Sequence, residues 1–311
     1  MYDTTKLYND LIRSIIKKTW KTPYVFVKDD LVTKKIYLKE YHHSDGIGTK
    51  GIYHWKNKTL ENAVIDALAM NLNDMLMKRA IPYAITDHLF LPEDNKKYIA
   101  RIIGKLAEEC RKRDIAITGG ETAIHDNSKE IELSITMMGF VENTRKNQFK
   151  IGDVVIGVKS SGLHSNGFTK VREIFGDENK PEFTIPTLIY HDAIINADKK
   201  YKINGLVHIT GGAYTKLKKP LKEGNIEIDS NWLAPHPIFY ELYEKGISDK
   251  EMYKTFNCGI GFVLSAHPDK ANLILSKINR AGFKSEIIGK ITPGNRKIHI
   301  KSAFTNKKIE L

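Results

Sequence analysis

Asp45, Asp74 and Glu121 supply three hard oxygen donors from separate segments of a 311-residue chain. Mg²⁺ typically takes one or two carboxylates and leaves its other positions to water and substrate phosphates. Three carboxylates are more than one ion needs, which fits two Mg²⁺ ions on a nucleoside triphosphate. Asp45 opens the run Asp45-Gly46-Ile47-Gly48-Thr49-Lys50. Its glycines let a backbone approach a ligand, and its lysine offers a point charge to phosphate. The run is not the Gly-x-x-x-x-Gly-Lys-Ser/Thr of a Walker A loop, and standing alone it also reads as a plain turn. Glu121 follows Gly119-Gly120 where a strand ends, a position that builds sites. The alternative is that it caps the next segment.

A second group lies further along. Ser160-Ser161-Gly162-Leu163-His164-Ser165-Asn166-Gly167 joins a strand to a helix. Hydroxyls, glycine amides and a helix N-terminus together favour an anion such as a sugar phosphate, though a Ser/Asn-rich helix cap would look the same. His208 precedes Thr210-Gly211-Gly212 at another strand end, as a packed histidine or a general base. Cys258 has no base near it in sequence and reads as a buried thiol.

These residues need elements to hold them. Thr59 caps a helix expected to run to about Arg79, with Leu60, Ala63, Val64, Ala67 and Leu68 forming one apolar stripe. Within it Asp66 and Asn73 lie about 20° apart, with Asp74 about 80° away. Apolar residues occupy most of the circumference, so the helix is buried nearly all round and its carboxylates need a cation, a donor network or a cavity. A second helix follows Pro92, burying Ile99, Ile102, Ile103, Leu106 and Cys110. Tyr24–Tyr41 alternates β-formers with charges, as one or two strands around Lys28-Asp29-Asp30. Strands are expected at Ile115–Thr118, Glu132–Val141, Val154–Lys159, Leu206–Ile209 and Phe256–Ser265. Helices are expected at Gly167–Phe175, after Gly212, and at Asp269–Ala281. Both halves mix the two element types, which predicts two α/β domains, 1–148 and 149–311.

Composition narrows the classes. Hydrophobic residues make up 41%, which excludes a disordered chain, and two cysteines exclude a disulfide framework. No run approaches the ~18 apolar residues of a membrane span, and the first residues lack a signal-peptide core. A reducing cytoplasm is the expected compartment. The formal charge of +12 is spread along the chain, with six Lys/Arg against Glu310 alone in 287–311. That is a field for anionic partners or a lysine-rich soluble surface, and no nucleic-acid-binding motif accompanies it.

Taken together, Asp45–Lys50, Asp66–Asp74, Gly119–Thr122, Gly152–Gly167, Pro186-Thr187, His208–Gly212 and Met252–Gly259 occur in the order found in aminoimidazole ribonucleotide synthetases. The chain resembles that cyclo-ligase family over roughly residues 42–300. Leu163–Gly167 and Met252–Gly259 separate it from relatives that share the Asp-Gly and Asn-Asp motifs. The resemblance implies a two-domain PurM-like α+β fold, a homodimer with a barrel-like core of N-terminal strands, and ATP with Mg²⁺ near that interface. It implies ATP-dependent ring closure of formylglycinamidine ribonucleotide, with no nucleic acid or membrane as partner. It assigns Asp45, Gly46, Thr49, Lys50, Asp66, Asn73, Gly119, Gly120 and Glu121 to the nucleotide. Asp45, Asp74 and Glu121 would hold the metal. Ser160, Ser161, Gly162, Ser165, Asn166, Gly167 and Thr187 would hold the ribonucleotide, with Asp74, His164 and His208 at the chemistry. The family's glycine-rich nucleotide cover has no counterpart, since Trp20–His43 contains no glycine, and Arg13 stands where a lysine is expected. A lid-less, weakly active or inactive nucleotide-binding protein, or a superfamily enzyme with another substrate, is therefore the alternative.

Overall fold

The computed structural model describes residues 8–28, 31–34, 39–142, 144–229 and 233–311. It divides into two compact units, Met1–Thr144 and Arg145–Leu311, against an expected boundary at 148/149.

In the first unit the elements are α1 (Asn9–Ile16), β1 (Val25–Lys28), β2 (Leu31–Lys34), β3 (Glu40–Gly46), α2 (Gly51–Asn57), α3 (Leu60–Met77), β4 (Ala80–Leu91), α4 (Lys96–Arg111), β5 (Ala116–Ile124) and β6 (Glu132–Val141). Four strands form a sheet in the order β3-β6-β4-β5, with only the β4–β5 pair parallel. Helix α4 makes the crossover between them. Both expected helices form: the α3 stripe is buried, as are Ile99, Ile102, Ile103, Leu106 and Cys110 of α4. Asn95 caps α4 by accepting from the backbone N–H of Lys97 and Tyr98. Strand β4 was not foreseen. It is central and carries Pro82, tolerated because the β4–β6 register shifts between Pro82 and Ala84.

Helix α3 packs on one face of this sheet. At one end of the other face, the antiparallel β1–β2 pair packs Val25 and Val27 onto Tyr83, Ala84, Ala116 and Phe140. Asp29 and Asp30, expected at the centre of that strand region, lie outside the described residues. Gly119-Gly120 is not a strand end: β5 continues to Ile124. The β4–β5 register shifts after Ile117, and Thr118 Oγ1 donates to the Ile85 carbonyl at 3.0 Å. Glycine composition suggested a turn, but the long parallel pairing with β4 carries the strand through it.

The second unit contains β7 (Val154–Lys159), α5 (Phe168–Phe175), α6 (His191–Tyr201), β8 (Gly205–His208), β9 (Gly224–Ile228), α7 (Pro237–Glu244), α8 (Asp249–Thr255), β10 (Ile260–Ala266), α9 (Pro268–Arg280), β11 (Ser285–Thr292), β12 (Asn295–Lys301) and β13 (Lys308–Glu310). The sheet order is β13-β12-β9-β11-β7-β10-β8, antiparallel except for β12 with β9. The helix expected after Gly212 is a short 3₁₀ segment, Ala213–Lys218. The strand expected from Phe256 starts only at Ile260, because Cys258 (φ +45°) and Gly259 (φ +94°) turn the chain first. Since β10 runs antiparallel between β7 and β8, its start and their ends share one end of the sheet.

Candidate functional site

In the first unit the site residues gather where α3 crosses the edge strand β3. Asn71 Nδ2 donates to the Asp45 carbonyl at 3.0 Å and the Ala67 carbonyl at 2.9 Å, tying helix to strand. His43 shares the face of Asp45; its Nδ1–H donates to Asn71 Oδ1 at 3.0 Å, and its Nε2 lies 3.5 Å from Asp74 Oδ2. Asp45 and Asp74 are thus joined through His43 and Asn71, two residues that sequence reasoning missed. The signal was present: His43 and Asp45 are two apart on a strand, and Asn71 and Asp74 three apart on a helix. The Asp45 carboxylate accepts from the Gly46 N–H at 2.8 Å.

The Asp-Gly run divides. A Cβ on Gly46 would lie 2.6 Å from Ser134 Oγ, so this glycine serves a close approach to protein rather than to ligand. Gly48 (φ +55°) and the half-buried Thr49 remain reachable. Lys50 does not, which corrects its reading as a free phosphate contact. Its Nζ donates to Asp66 Oδ2 at 2.8 Å, and both side chains are 0% exposed. His54 Nε2 bonds the same oxygen at 2.9 Å, while its Nδ1 bonds Thr59 Oγ1 at 2.9 Å. Burial works against charge on all three. For Asp66 the Lys50 charge and the bonds from His54 and Lys50 outweigh burial and hold the carboxyl well below its ordinary range. Burial lowers the Lys50 and His54 pKa values, with Asp66 opposing in each case. Asp66 and Lys50 therefore brace the turn from inside. Asn73 is fully buried on the same helix.

Glu121 does not join Asp45 within one chain. The register aligns Asp45, Ile135, Asp87 and Gly120 on the α3 face, and Gly46, Ser134, His88 and Glu121 on the other. Three strand spacings, about 14 Å, separate the β3 and β5 positions. Among the described residues no group of three His, Cys, Asp or Glu is placed to hold a metal.

In the second unit three segments meet at one sheet end. Asn257 is the knot: it accepts from Ser160 Oγ and from the Gly259 N–H, both at 2.9 Å, and donates to the Gly162 carbonyl at 2.8 Å. Ser161 Oγ donates to the Pro186 carbonyl at 2.6 Å, beside fully buried Thr187. Asn166 Nδ2 donates to the Thr255 carbonyl at 2.9 Å, and Thr210 Oγ1 donates to Asn166 Oδ1 at 3.2 Å. These side chains shape the loop from within. Ser165 Oγ differs: it is shielded from solvent and has no hydrogen-bond partner among the described residues. Gly167 is required, with φ +80° and a Cβ position 2.7 Å from Phe256 Cε1.

His164 and His208 are both buried, with ring centroids 5.4 Å apart. His164 Nδ1–H donates to the Ile209 carbonyl at 3.0 Å, which makes Nε2 the lone-pair nitrogen of the neutral ring. His208 stacks on Phe262 at 6.1 Å. Burial pushes the Cys258 thiol well up, and its Sγ faces the Met252 and Phe256 carbonyls, an inert placement.

The two units, the first with an Asp-Gly turn against an Asn-Asp helix, match the two domains of a single protein class. Residues 30–141 match the AIR synthase related protein N-terminal domain, and residues 150–301 its C-terminal domain. The chain is 32% identical to the phosphoribosylformylglycinamidine cyclo-ligase of Saccharolobus solfataricus, over 93% of this chain and 90% of that one. It is 35% identical to the enzyme of the same name from Methanocaldococcus jannaschii, over 80% of this chain and 77% of that one. The chain belongs to the phosphoribosylformylglycinamidine cyclo-ligase family. In fold it is similar to the hydrogenase maturation protein HypE crystallised with ATP, at a TM-score of 0.69 and 11% identity, covering 98% of this chain and 94% of that one.

Proposed function

We propose that this chain closes the imidazole ring of formylglycinamidine ribonucleotide, using ATP and giving 5-aminoimidazole ribonucleotide, ADP and phosphate. Similarity to cyclo-ligases over nearly the whole chain carries this reading. The formyl oxygen attacks the γ-phosphorus and ADP leaves. The amidine nitrogen then attacks the activated formyl carbon, the bond from that carbon to the phosphorylated oxygen breaks, and phosphate departs as the nitrogen loses its proton.

Asp45 and Asp74 would hold Mg²⁺, which when bound neutralises charge on the triphosphate. Gly48 and Thr49 line the reachable part of the turn, while Lys50 and Asp66 keep it in place. Glu121 reaches the nucleotide of a second copy. The sheet face that carries Ser44, Thr86, Ser134 and Thr136, free of α3, would pair two chains into the barrel-like homodimer. Ser165 and the backbone at Gly162–Gly167 take the ribose phosphate. Either His164 or His208 would receive the proton lost in ring closure. Such an enzyme works in the cytoplasm.

The test is incubation of the purified chain with ATP, Mg²⁺ and formylglycinamidine ribonucleotide, with the ribonucleotide product followed by mass spectrometry. A second reading, nucleotide binding without turnover, is favoured by one observation. Where a glycine-rich cover is expected, β1 packs onto the sheet, with β2 paired to it. ATP binding with no aminoimidazole ribonucleotide would establish that reading instead.

A further inference from the structure

The segment Leu233–His236 lies across the loop that the proposed function gives to the ribonucleotide. Three observations join them. His236 Nε2–H donates to the Ser160 carbonyl at 2.8 Å. Lys159 Nζ donates to the Ala234 carbonyl. A Cβ on Gly259 would lie 2.9 Å from Pro235 Cα, 3.0 Å from the Ala234 carbonyl oxygen and 3.1 Å from that of Leu233, so the strap rests directly on this glycine.

Ser160 and Gly259 are also two of the three residues bonded by the Asn257 side chain. The strap and the Asn257 knot therefore meet at the same two residues. The Ser160 N–H donates to the Gly259 carbonyl at 2.9 Å, closing the ring of contacts. Of the strap residues, only His236 reaches the loop with a side-chain hydrogen bond among the contacts described. Its ring stands 6.5 Å from that of Phe239 in α7.

We infer that His236 is a positioning residue for the ribonucleotide site: by holding the Ser160 carbonyl it sets the path of Ser160–Gly167, and so the site's affinity for the sugar phosphate. It acts through Ser160 and needs no contact with the reacting atoms. The inference rests on the proposed assignment of this loop to formylglycinamidine ribonucleotide.

Equilibrium binding of formylglycinamidine ribonucleotide and of ATP, measured separately by calorimetry on the full chain, tests it. Losing one hydrogen bond that orders a loop predicts ribonucleotide affinity about tenfold weaker in His236→Ala, with ATP affinity within about twofold. His236→Gln places an amide N–H where Nε2–H stood and should recover most of the loss. If His236→Ala does not fold, His236→Asn replaces it, since its shorter amide cannot span to Ser160. Unchanged ribonucleotide affinity in the Ala or Asn variant overturns the inference, as does an equal loss for ATP or a Gln variant no better than Ala. Wild-type protein that binds no ribonucleotide rejects the proposed function and the inference together. Wild-type protein that binds and turns over, with variants unaffected, rejects the inference alone.

Discussion

Lys50 Nζ stands 2.8 Å from Asp66 Oδ2 in a pair fully closed to solvent. A buried pair is weak evidence of net stability, but removing one partner leaves an uncompensated charge, at a cost of about 3–5 kcal/mol. Asp66→Ala should therefore melt far below wild type. Combining Lys50→Met with Asp66→Leu should restore much of the loss. Thermal melts decide the pair's role, and a folded double variant with ATP affinity near wild type would confirm that Lys50 does not touch phosphate.

Asp74→Asn keeps the side chain's shape and removes its charge. Turnover should fall by about a hundredfold or more, equivalent to about 2.7 kcal/mol of transition-state stabilisation. The melting temperature should stay near wild type, because Asp74 is at the edge of the α3 face, 13% exposed. Turnover close to wild type at saturating Mg²⁺ would remove Asp74 from the metal site.

The helices α3 and α4 were legible because a 3.6-residue period survives in a single sequence, and β6 and β7 because short apolar runs had clear bounds. The partners were not legible. Nothing in Asp45–Lys50 shows that Lys50 will meet Asp66 sixteen positions on, or that Glu121 will face away from Asp45. Parity along β5 and its register bulge decide the latter. Asn257 and His236 escaped for the same reason: Asn257 bonds Ser160 Oγ and the Gly162 carbonyl, and His236 the Ser160 carbonyl, partners so distant in sequence that they leave no pattern in composition. Gly119-Gly120 misled because a glycine pair reads as a turn unless the neighbouring strand is known.

Gly167→Ala tests the loop's backbone. Its φ of +80° and the Phe256 ring 2.7 Å from the new Cβ both resist a side chain. The expected cost is about 1–3 kcal/mol, with a weakened KM for the ribonucleotide and a smaller change for ATP. Equal changes in both KM values, read from initial rates, would make the loop structural only.

Acid should weaken the first unit through Glu109. Burial raises its carboxyl pKa, but bonds from Lys105, Lys112 and Arg113 outweigh that and bring it from 4.5 to about 2. The folded value is lowered, so this stabilisation is present above pH 4.5 and is lost as pH falls toward 2. The difference in melting temperature between wild type and Glu109→Gln should be largest above pH 5 and shrink on acidification. A difference constant across that window would contradict the assignment.

The start of the stretch Trp20–His43 should not swing as a cover. Trp20 Nε1 donates to the Ile117 carbonyl at 2.9 Å, and Thr19 Oγ1 accepts from the Ile117 N–H at 2.9 Å, fixing its start to β5. An open site admits water to activated phosphate. ADP released in excess of the aminoimidazole ribonucleotide formed is therefore expected; one-to-one stoichiometry with tight ATP binding would show that another segment closes the site.

The central claim is a transfer of the formyl oxygen to phosphate. Formylglycinamidine ribonucleotide labelled with ¹⁸O in its formyl group should yield one labelled phosphate for each aminoimidazole ribonucleotide formed. Unlabelled phosphate would then report only the uncoupled hydrolysis. Product formed with its phosphate unlabelled, or ATP consumed with no aminoimidazole ribonucleotide at all, would contradict the account.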